Sequence, residues 1–258
     1  MNTSTMLRAS AGMPNFAVMQ TFLTARWQHL IMANYPVDPL LLQPFLPAGT
    51  RLDLHNGAAW ISLVGFLFRR TRLFGVPIPW LGNFEEVNLR FYVLRDEPGE
   101  TRRGVVFLNE TVPFRLVAQV ANALYNEHYT ALPMRHNVTA APATLDVRYE
   151  WKVKHRWNRL GVCAAPVAAP QLPGSFESFI FEHYYGYTRL SSQLSEEYKV
   201  NHPSWLIHQV QSYEVDCDFE RMYGAAFGHL SAQAPHSVFL AAGSPVSVDW
   251  KRRRFAAG

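Results

Sequence analysis

One stretch decides the fold: Glu86-Val87-Asn88-Leu89-Arg90-Phe91-Tyr92-Val93. Apolar side chains occupy every second position, and the positions between them carry a carboxylate, an amide, a guanidinium and a phenol. This period of two predicts a β-strand with one apolar face and one polar face. Pro98-Gly99 follows as a turn signal, and a second apolar segment covers Gly104–Leu108. The two segments therefore predict neighbouring strands of an antiparallel meander.

Further strand patterns lie on both sides of this hairpin. Asn56-Gly57 is a hairpin turn signal, and Ala58–Phe68 is apolar on both faces, which predicts a central strand covered on both sides. Leu145–Lys154 and Tyr213–Glu220 alternate apolar with charged residues and predict strands with one wet face. The predicted final hairpin consists of Ser237–Ala242, the turn Gly243-Ser244 and the return strand Val246–Trp250.

Helical patterns are few. Asp38 is a typical N-cap and Pro39 a typical first-turn residue of a short helix between two prolines. Apolar residues recur at helical spacing over Pro113–Asn126 and again over Ser175–Tyr187. The Ala/Pro-rich segment Ala164–Gly174 predicts a loop before the second of these helices.

The composition favours one β-rich domain. The chain has 258 residues, of which 48% are hydrophobic and only 17% charged, and these proportions exclude disordered and coiled-coil classes. We expect an α+β domain over residues 21–258, in which a large antiparallel sheet or half-barrel packs against a few helices. The small and polar residues 1–20 predict a flexible leader.

Apolar runs, cysteines and charge limit the partners and the location. The run Gly57–Phe68 is shorter than the roughly 20 residues of a membrane helix, so we expect a soluble protein without a membrane partner. Two cysteines and the absence of a signal-peptide pattern indicate a cytoplasmic protein. The basic runs Arg69–Arg72 and Lys251–Arg254 lie on no nucleic-acid-binding motif, so no nucleic-acid partner is expected. The sequence leaves open whether the protein forms a homo-oligomer.

Familiar catalytic and metal-binding motifs are absent, and neither a metal nor another cofactor is expected. The polar face at Glu86, Asn88, Arg90 and Tyr92 is the best candidate site, since residues two apart on a strand can act on one ligand. The same row would also suit a solvent-facing surface. Similarly, the amines of the pair Lys152-Val153-Lys154 would suit either a nucleophile or a solvated face.

Several motifs together resemble the YqjF-like family of uncharacterised bacterial proteins, the domain of unknown function 2071. They run in order from roughly residue 22 to 250: Asp53-Leu54-His55-Asn56-Gly57 with Trp60, the block Glu86–Val93, Gly104-Val105-Val106-Phe107, and Glu182-His183-Tyr184-Tyr185-Gly186-Tyr187. That family is similar in fold to acetoacetate decarboxylase, an antiparallel sheet curled around a mostly apolar central cavity. The resemblance implies the same architecture here.

The resemblance also implies where the cavity residues lie. Glu86 matches a glutamate of the decarboxylases that lines their cavity. Those enzymes carry a Pro-Lys-Lys segment after the helix equivalent to Pro113–Asn126, and its first lysine forms the Schiff base. Here that place reads Glu127-His128-Tyr129-Thr130, so we expect no imine chemistry.

The candidate catalytic residues are Glu86 as acid and base, Arg90 as anion anchor and Tyr129 as hydrogen-bond donor. The candidate ligand-binding residues are Asn88, Tyr92, Tyr125, His128, His183 and Tyr187. His183 and Tyr187 are polar-tipped residues on the apolar stripe of the predicted second helix, and they would equally satisfy hydrogen bonds within a core.

Two functions remain. In the favoured one, the cavity binds or senses a small, partly apolar ligand with a carbonyl or carboxylate group. In the alternative, the protein is a non-covalent acid/base enzyme of lyase or hydrolase type that uses Glu86 and Arg90. A cavity filled by its own aromatic residues, with a structural role alone, is a third option.

Overall fold

The computed structural model describes residues 21–125 and 128–256, with the side chains of residues 124 and 125 left out. These residues form one sheet of fifteen strands and four α-helices. The strands are β1 (Thr21–Val37), β2 (Arg51–Leu52), β3 (Ala59–Leu73), β4 (Val76–Pro77), β5 (Phe84–Glu97), β6 (Glu100–Val112), β7 (Tyr129–Ala131), β8 (Met134–Ala140), β9 (Leu145–Val153), β10 (Arg156–Pro170), β11 (Tyr185–Arg189), β12 (Leu194–Asn201), β13 (Leu206–Asp216), β14 (Ser237–Asp249) and β15 (Arg253–Ala256). The helices are α1 (Pro39–Leu42), α2 (Arg115–Tyr125), α3 (Phe176–Phe181) and α4 (Phe219–Tyr223), with 3₁₀ turns at Gln43–Phe45 and Ala225–Ala232. The leader predicted over residues 1–20 lies outside the described residues.

The strands are ordered β15-β12-β11-β6-β5-β3-β1-β14-β13-β10-β9-β8 across the sheet. Neighbours along this path are antiparallel except for β11 and β6, and β7 also joins β6 in parallel. The sheet curls so that β12 additionally pairs with β14 through Val200–Val248 and Asn201–Ser247. This architecture confirms the α+β prediction of a large curled antiparallel sheet with a few packed helices.

The two faces of β5 contribute to different hydrophobic clusters. Its apolar face packs into a core with β9, where the rings of Tyr149 and Trp151 are fully buried. Its polar face turns toward a second cluster that contains Tyr92, Phe179 and Trp205. The strand is therefore covered on both sides, as are the apolar residues of β3.

Several local predictions match the structure. The Asp38 carboxylate caps α1 by accepting from the Leu40 backbone N–H. Asn56 and Gly57, both with positive φ, form the tight turn before β3. Helix α2 lies within the predicted helical segment. No helix in the part of the chain described here is long and apolar enough to span a membrane.

The predicted hairpin turn at Gly243-Ser244 is wrong. Strand β14 runs through both residues and pairs with β1 along its length. Gly243 adopts φ +83°, and a Cβ there would lie 2.1 Å from the Trp27 carbonyl oxygen. The glycine therefore serves a close approach between two strands, which the Gly-Ser signal does not distinguish from a turn.

The predicted loop over Ala164–Gly174 is also wrong in its first half. Strand β10 continues to Pro170, because its last residues pair with the start of β13 after an irregularity at Ala164–Ala168. The loop is therefore confined to the few residues that precede α3.

The predicted strand Tyr213–Glu220 and the predicted helix Ser175–Tyr187 both end early. Strand β13 stops at Asp216, and Asp218 caps α4 by accepting from the Arg221 N–H. Helix α3 stops at Phe181, and the chain re-enters the sheet as β11, between β6 and β12. Strand pairing here outweighs the helical spacing of the aromatic residues.

Candidate functional site

A cavity of about 270 Å³ lies inside the curl of the sheet, on the polar side of β5. Its wall is mostly apolar and aromatic, with contributions from β1, β3, β6, β12 and α2. The polar residues of the wall include Glu86, Asn88, Arg90, Glu110, Tyr129, His183 and His202. A mostly apolar cavity with a few polar groups is typical of a small-molecule site, and this volume suits a small ligand.

Strand β5 brings three of the predicted residues to the cavity wall. Glu86, Asn88 and Arg90 are 3%, 2% and 8% exposed, so the row does not face solvent. Asn88 is the direct partner of Glu110 on β6, and Glu110 is in turn the partner of Tyr129 on β7. The site therefore extends sideways across three strands.

The Glu86 carboxyl is held by two hydrogen bonds. Asn88 Nδ2 donates to Glu86 Oε1 over 2.9 Å, and the Tyr129 hydroxyl donates to Oε2 over 3.3 Å. Burial raises the pKa of Glu86 to about 7, although these two bonds and the charge of Arg90 act in the opposite direction. Glu86 can therefore exchange a proton near neutral pH.

The Tyr129 phenol stays neutral beside two carboxylates. Burial, followed by the charges of Glu110 and Glu86, raises the pKa of Tyr129 well above its usual range. It can therefore donate a hydrogen bond to a neighbouring carboxylate or to a ligand, but it cannot act as a phenolate.

Arg90 is a buried cation without a carboxylate partner. Across residues 21–125 and 128–256, none of the ion pairs within 4.0 Å includes Arg90. Its Nη2 donates to the thioether sulfur of Met32 over 3.4 Å, and its Nε is buried without a hydrogen-bond partner. Because a buried charge without a counterion is costly, the guanidinium is ready to accept an anion.

His183 belongs to a chain of polar groups that ends at the cavity. Its Nε2 lies 3.3 Å from Asp53 Oδ2, which also accepts from Arg103 Nε over 2.9 Å. Burial lowers the pKa of His183 to about 4, with further lowering by Arg103 and Arg90 against the effect of Asp53. The imidazole is therefore neutral near pH 7.

The other predicted ligand-binding residues lie elsewhere. The Tyr92 hydroxyl contacts Ser62 Oγ, and its ring packs against His183 behind the cavity wall. Tyr187 is on β11, not on a helix, and its hydroxyl donates to Glu197 Oε2 over 2.9 Å, away from Glu86. The placement of Tyr187 in the cavity wall is therefore wrong, because its ring is buried in the other hydrophobic cluster, where it packs against Phe255.

His128 and Tyr125 complete this set. His128 is exposed and lies in a separate depression beside Tyr187, so the structure does not bring it to Glu86. Tyr125 is the last residue of α2, and its side chain lies outside the part of the structure that is described.

Glu110 and Asp53 were not predicted from the sequence. On β6, Val105 and Phe107 line the cavity, and simple alternation would place Asn109 next to them. The register with β5 instead skips Leu108, so this one-residue bulge turns Glu110 toward the cavity. Asp53 lies in a quoted motif, but its partner His183 is 130 residues away, and no local signal joins them.

All four lysines lie in the described part of the chain, and none lines the cavity. Lys199 is exposed on β12, between two residues that do line it. Lys152 contacts the ring of Trp157, with its Nζ 5.9 Å from the ring centre, and Lys154 lies at a turn. Among the described residues, no cluster of three His, Cys, Asp or Glu side chains could hold a metal ion.

Comparisons with known proteins give the family and the fold. A family model described as an uncharacterised conserved protein, DUF2071, matches residues 24–245. The uncharacterised protein YqjF of Bacillus subtilis strain 168 is 26% identical over 190 residues, which cover 72% of this chain and 75% of that protein.

Solved structures with the same fold cover nearly all of the chain. An acetoacetate decarboxylase-like enzyme from Sphingomonas wittichii RW1 is 13% identical, with a TM-score of 0.62, over 96% of this chain and 100% of that one. The enduracididine biosynthesis enzyme MppR in complex with pyruvate is 14% identical, with a TM-score of 0.58, over 97% and 98%. The acetoacetate decarboxylase of Legionella pneumophila is 11% identical, with a TM-score of 0.56, over 96% and 95%. At these identities the likeness establishes the fold alone.

Proposed function

We propose, from the premise that the chain belongs to the DUF2071 family and has the fold of acetoacetate decarboxylase-like enzymes, that its cavity binds a small carboxylate with a short apolar body. The carboxylate pairs with Arg90, and the apolar body contacts the aromatic wall. No covalent imine forms, because none of the lysines lines the cavity.

The single observation that carries this proposal is the state of Arg90. Its guanidinium lies in the wall of a mostly apolar cavity, is 8% exposed and has no carboxylate partner among the described residues. An anionic ligand would supply the missing counterion at a site where water does not weaken the attraction. MppR, which shares the fold, has been crystallised with the carboxylate pyruvate, and this supports the ligand class.

Calorimetric titration with butanoate and with its neutral isostere butanamide tests the proposal. We expect wild-type protein to bind butanoate in preference to butanamide, and Arg90→Met to lose roughly tenfold or more of the butanoate affinity. Arg26→Met is the matched control, since Arg26 is exposed on β1. Equal binding of butanoate by wild type and Arg90→Met would contradict the proposal.

A second candidate function, non-covalent acid/base catalysis on such a ligand, is favoured by Glu86. Its pKa of about 7 and its two hydrogen bonds are suited to proton transfer at a carbon next to a carbonyl group. Arg90 would hold the carboxylate while ionised Glu86 removes the proton.

Proton exchange of 2-oxobutanoate in deuterated water, followed by NMR, tests this second function. We expect the C3 hydrogens to exchange faster with wild type than with Glu86→Gln, by roughly a hundredfold. The rate should rise with pH up to about 7, because the base must be ionised. Equal rates for wild type and Glu86→Gln would leave binding as the function.

A further inference from the structure

The imidazole of His183 carries a buried hydrogen-bond acceptor that nothing in the described structure satisfies. Only 1% of the His183 side chain is exposed, and the residue lines the cavity. Its Nε2 contacts Asp53 Oδ2 at 3.3 Å, whereas its Nδ1 is buried without a hydrogen-bond partner.

The contact with Asp53 determines which nitrogen carries the hydrogen. Asp53 Oδ2 already accepts from Arg103 Nε, and the hydrogen bond from His183 and the charge of Arg103 lower the pKa of Asp53 despite its burial. Asp53 is therefore an ionised acceptor, and a bare Nε2 lone pair facing it would be repelled. The neutral imidazole must carry its hydrogen on Nε2, which leaves Nδ1 as an acceptor only.

A second unsatisfied acceptor lies in the same cavity wall. Asn88 Nδ2 donates to Glu86 Oε1, and this bond fixes the orientation of the amide. Asn88 Oδ1 is then a buried acceptor without a partner, on a side chain that is 2% exposed. Buried acceptors are normally paired, so Asn88 Oδ1 and His183 Nδ1 both indicate a ligand that brings a hydrogen-bond donor.

One small ligand can reach both His183 and Arg90. The His183 ring centre lies 4.6 Å from that of Tyr92, and Arg90 Cζ lies 5.6 Å from the same ring. These two contacts limit the separation between the imidazole and the guanidinium to about 10 Å. A four-carbon acid that binds Arg90 can therefore present a second group to His183.

We propose that the cavity selects a small hydroxycarboxylate, whose carboxylate pairs with Arg90 while its hydroxyl donates to His183 Nδ1. This inference rests on the proposed carboxylate site and names the second group that the ligand must carry. A keto group would place an acceptor against an acceptor. An ammonium group could also donate to Nδ1, but the charges of Arg90 and Arg103, which act on His183 against that of Asp53, disfavour a cation there.

Asp53 is then a positioning residue, and His183 is the residue that sets specificity. Asp53 does not line the cavity, but it fixes the hydrogen on Nε2 and so keeps Nδ1 free to accept. The side chain of His202 offers a matched comparison, because it is the other histidine of the cavity wall in the described part of the chain.

Calorimetric titration near neutral pH with five acids of one chain length tests the proposal: butanoate, 2-oxobutanoate, 2-aminobutanoate, 2-hydroxybutanoate and 3-hydroxybutanoate. We expect one of the hydroxybutanoates to bind at least about fivefold more tightly than the other three acids, as one hydrogen bond allows. His183→Phe should abolish this preference and retain butanoate binding, whereas His202→Phe should keep the preference.

The outcomes separate this inference from the proposed function. Arg90-dependent binding of all five acids without a hydroxyl preference, or tighter binding of 2-aminobutanoate, would overturn the hydroxycarboxylate proposal alone. Binding of none of the acids would overturn the carboxylate site as well. A preference lost in His202→Phe but kept in His183→Phe would show that His183 is not the acceptor. Thermal unfolding of each variant confirms that it is folded.

Discussion

The hydroxyl of Tyr129 lies 3.3 Å from Oε2 of Glu86 and joins β7 to β5 across the cavity wall. The resemblance to the decarboxylases implies that Tyr129 lies in the segment where those enzymes carry their imine-forming lysine. The side chain here offers a neutral hydroxyl donor instead of an amine. That donor favours the ionised form of Glu86, against the burial that disfavours it.

Tyr129→Phe is expected to raise the pKa of Glu86 above its value of about 7, because the variant removes a bond that lowers it. Infrared difference spectroscopy of the carboxyl band during a pH titration measures this change. Tyr185→Phe, which also removes a hydroxyl from a residue of the cavity wall, is the control. A fall of the Glu86 pKa would contradict the assignment of the donor.

Glu86→Gln is expected to change how stability depends on pH. Between about 4.5 and about 7, folded Glu86 keeps its proton while the unfolded residue has lost it. The folded state then binds one more proton than the unfolded state. As the pH rises through this range, the free energy of unfolding of the wild type should therefore fall relative to that of Glu86→Gln, by about 1.4 kcal/mol per pH unit. Urea unfolding across this range measures the difference, and a wild type that gains stability relative to the variant contradicts it.

Glu220→Gln serves as the control for that experiment. Glu220 is an exposed residue of α4, so its replacement corrects for the loss of one carboxylate from the protein surface. The pH-dependent difference should belong to Glu86→Gln alone.

Incubation with acetoacetate and borohydride should give no covalent adduct. An imine needs an unprotonated amine in contact with the ligand, and the four lysines lie outside the cavity wall. Intact-mass measurement of the treated protein checks this expectation. A stoichiometric adduct that disappears in Lys152→Ala or Lys154→Ala would identify a relocated lysine and overturn it.

Gly243→Ala should destabilise the protein far more than Gly99→Ala. Both glycines have positive φ, so both variants strain the backbone by about 1 kcal/mol. Only at Gly243 would the added Cβ meet a backbone atom, 2.1 Å from the Trp27 oxygen, whereas nothing lies within 4 Å at Gly99. Chemical denaturation measures the free energy of unfolding of the two variants, and the difference between them is the cost of that contact. Equal losses of unfolding free energy in both variants would contradict the predicted contact.

Much of the fold could be predicted because its signals are local. The alternation over Glu86–Val93, the Asn56-Gly57 turn and the capped start of α1 each depend on neighbouring residues. The burial of the polar row could not be read from alternation, because a solvent-facing row has the same period. The burial of this row depends on the hydrophobic cluster that covers the polar face of β5.

Alternation alone places only the row on β5 in the site, whereas Tyr129 was predicted through the family resemblance and His183 from a helical spacing that ends at Phe181 in the structure. Asp53 and His183 lie on distant segments, and a contact of this kind leaves no spacing in the sequence. Helix α3 ends at Phe181 because the following segment Tyr185–Arg189 pairs with β12 as strand β11. Gly186 contributes to this choice, since a Cβ there would lie 2.1 Å from the Tyr198 ring.

The bulge at Leu108 means that the register between β6 and β5 decides which groups of β6 the cavity presents. If Leu108 stayed and the bulge were lost, uninterrupted pairing with β5 would place Asn109 beside Asn88, and an amide would replace the carboxylate of Glu110. A one-residue shift of register in β6 could thus remove one of the carboxylates of the cavity wall without any substitution inside the cavity. The cavity residues of family members should therefore be compared by their strand pairing with β5 at this point, because a sequence alignment alone does not show whether the bulge is present.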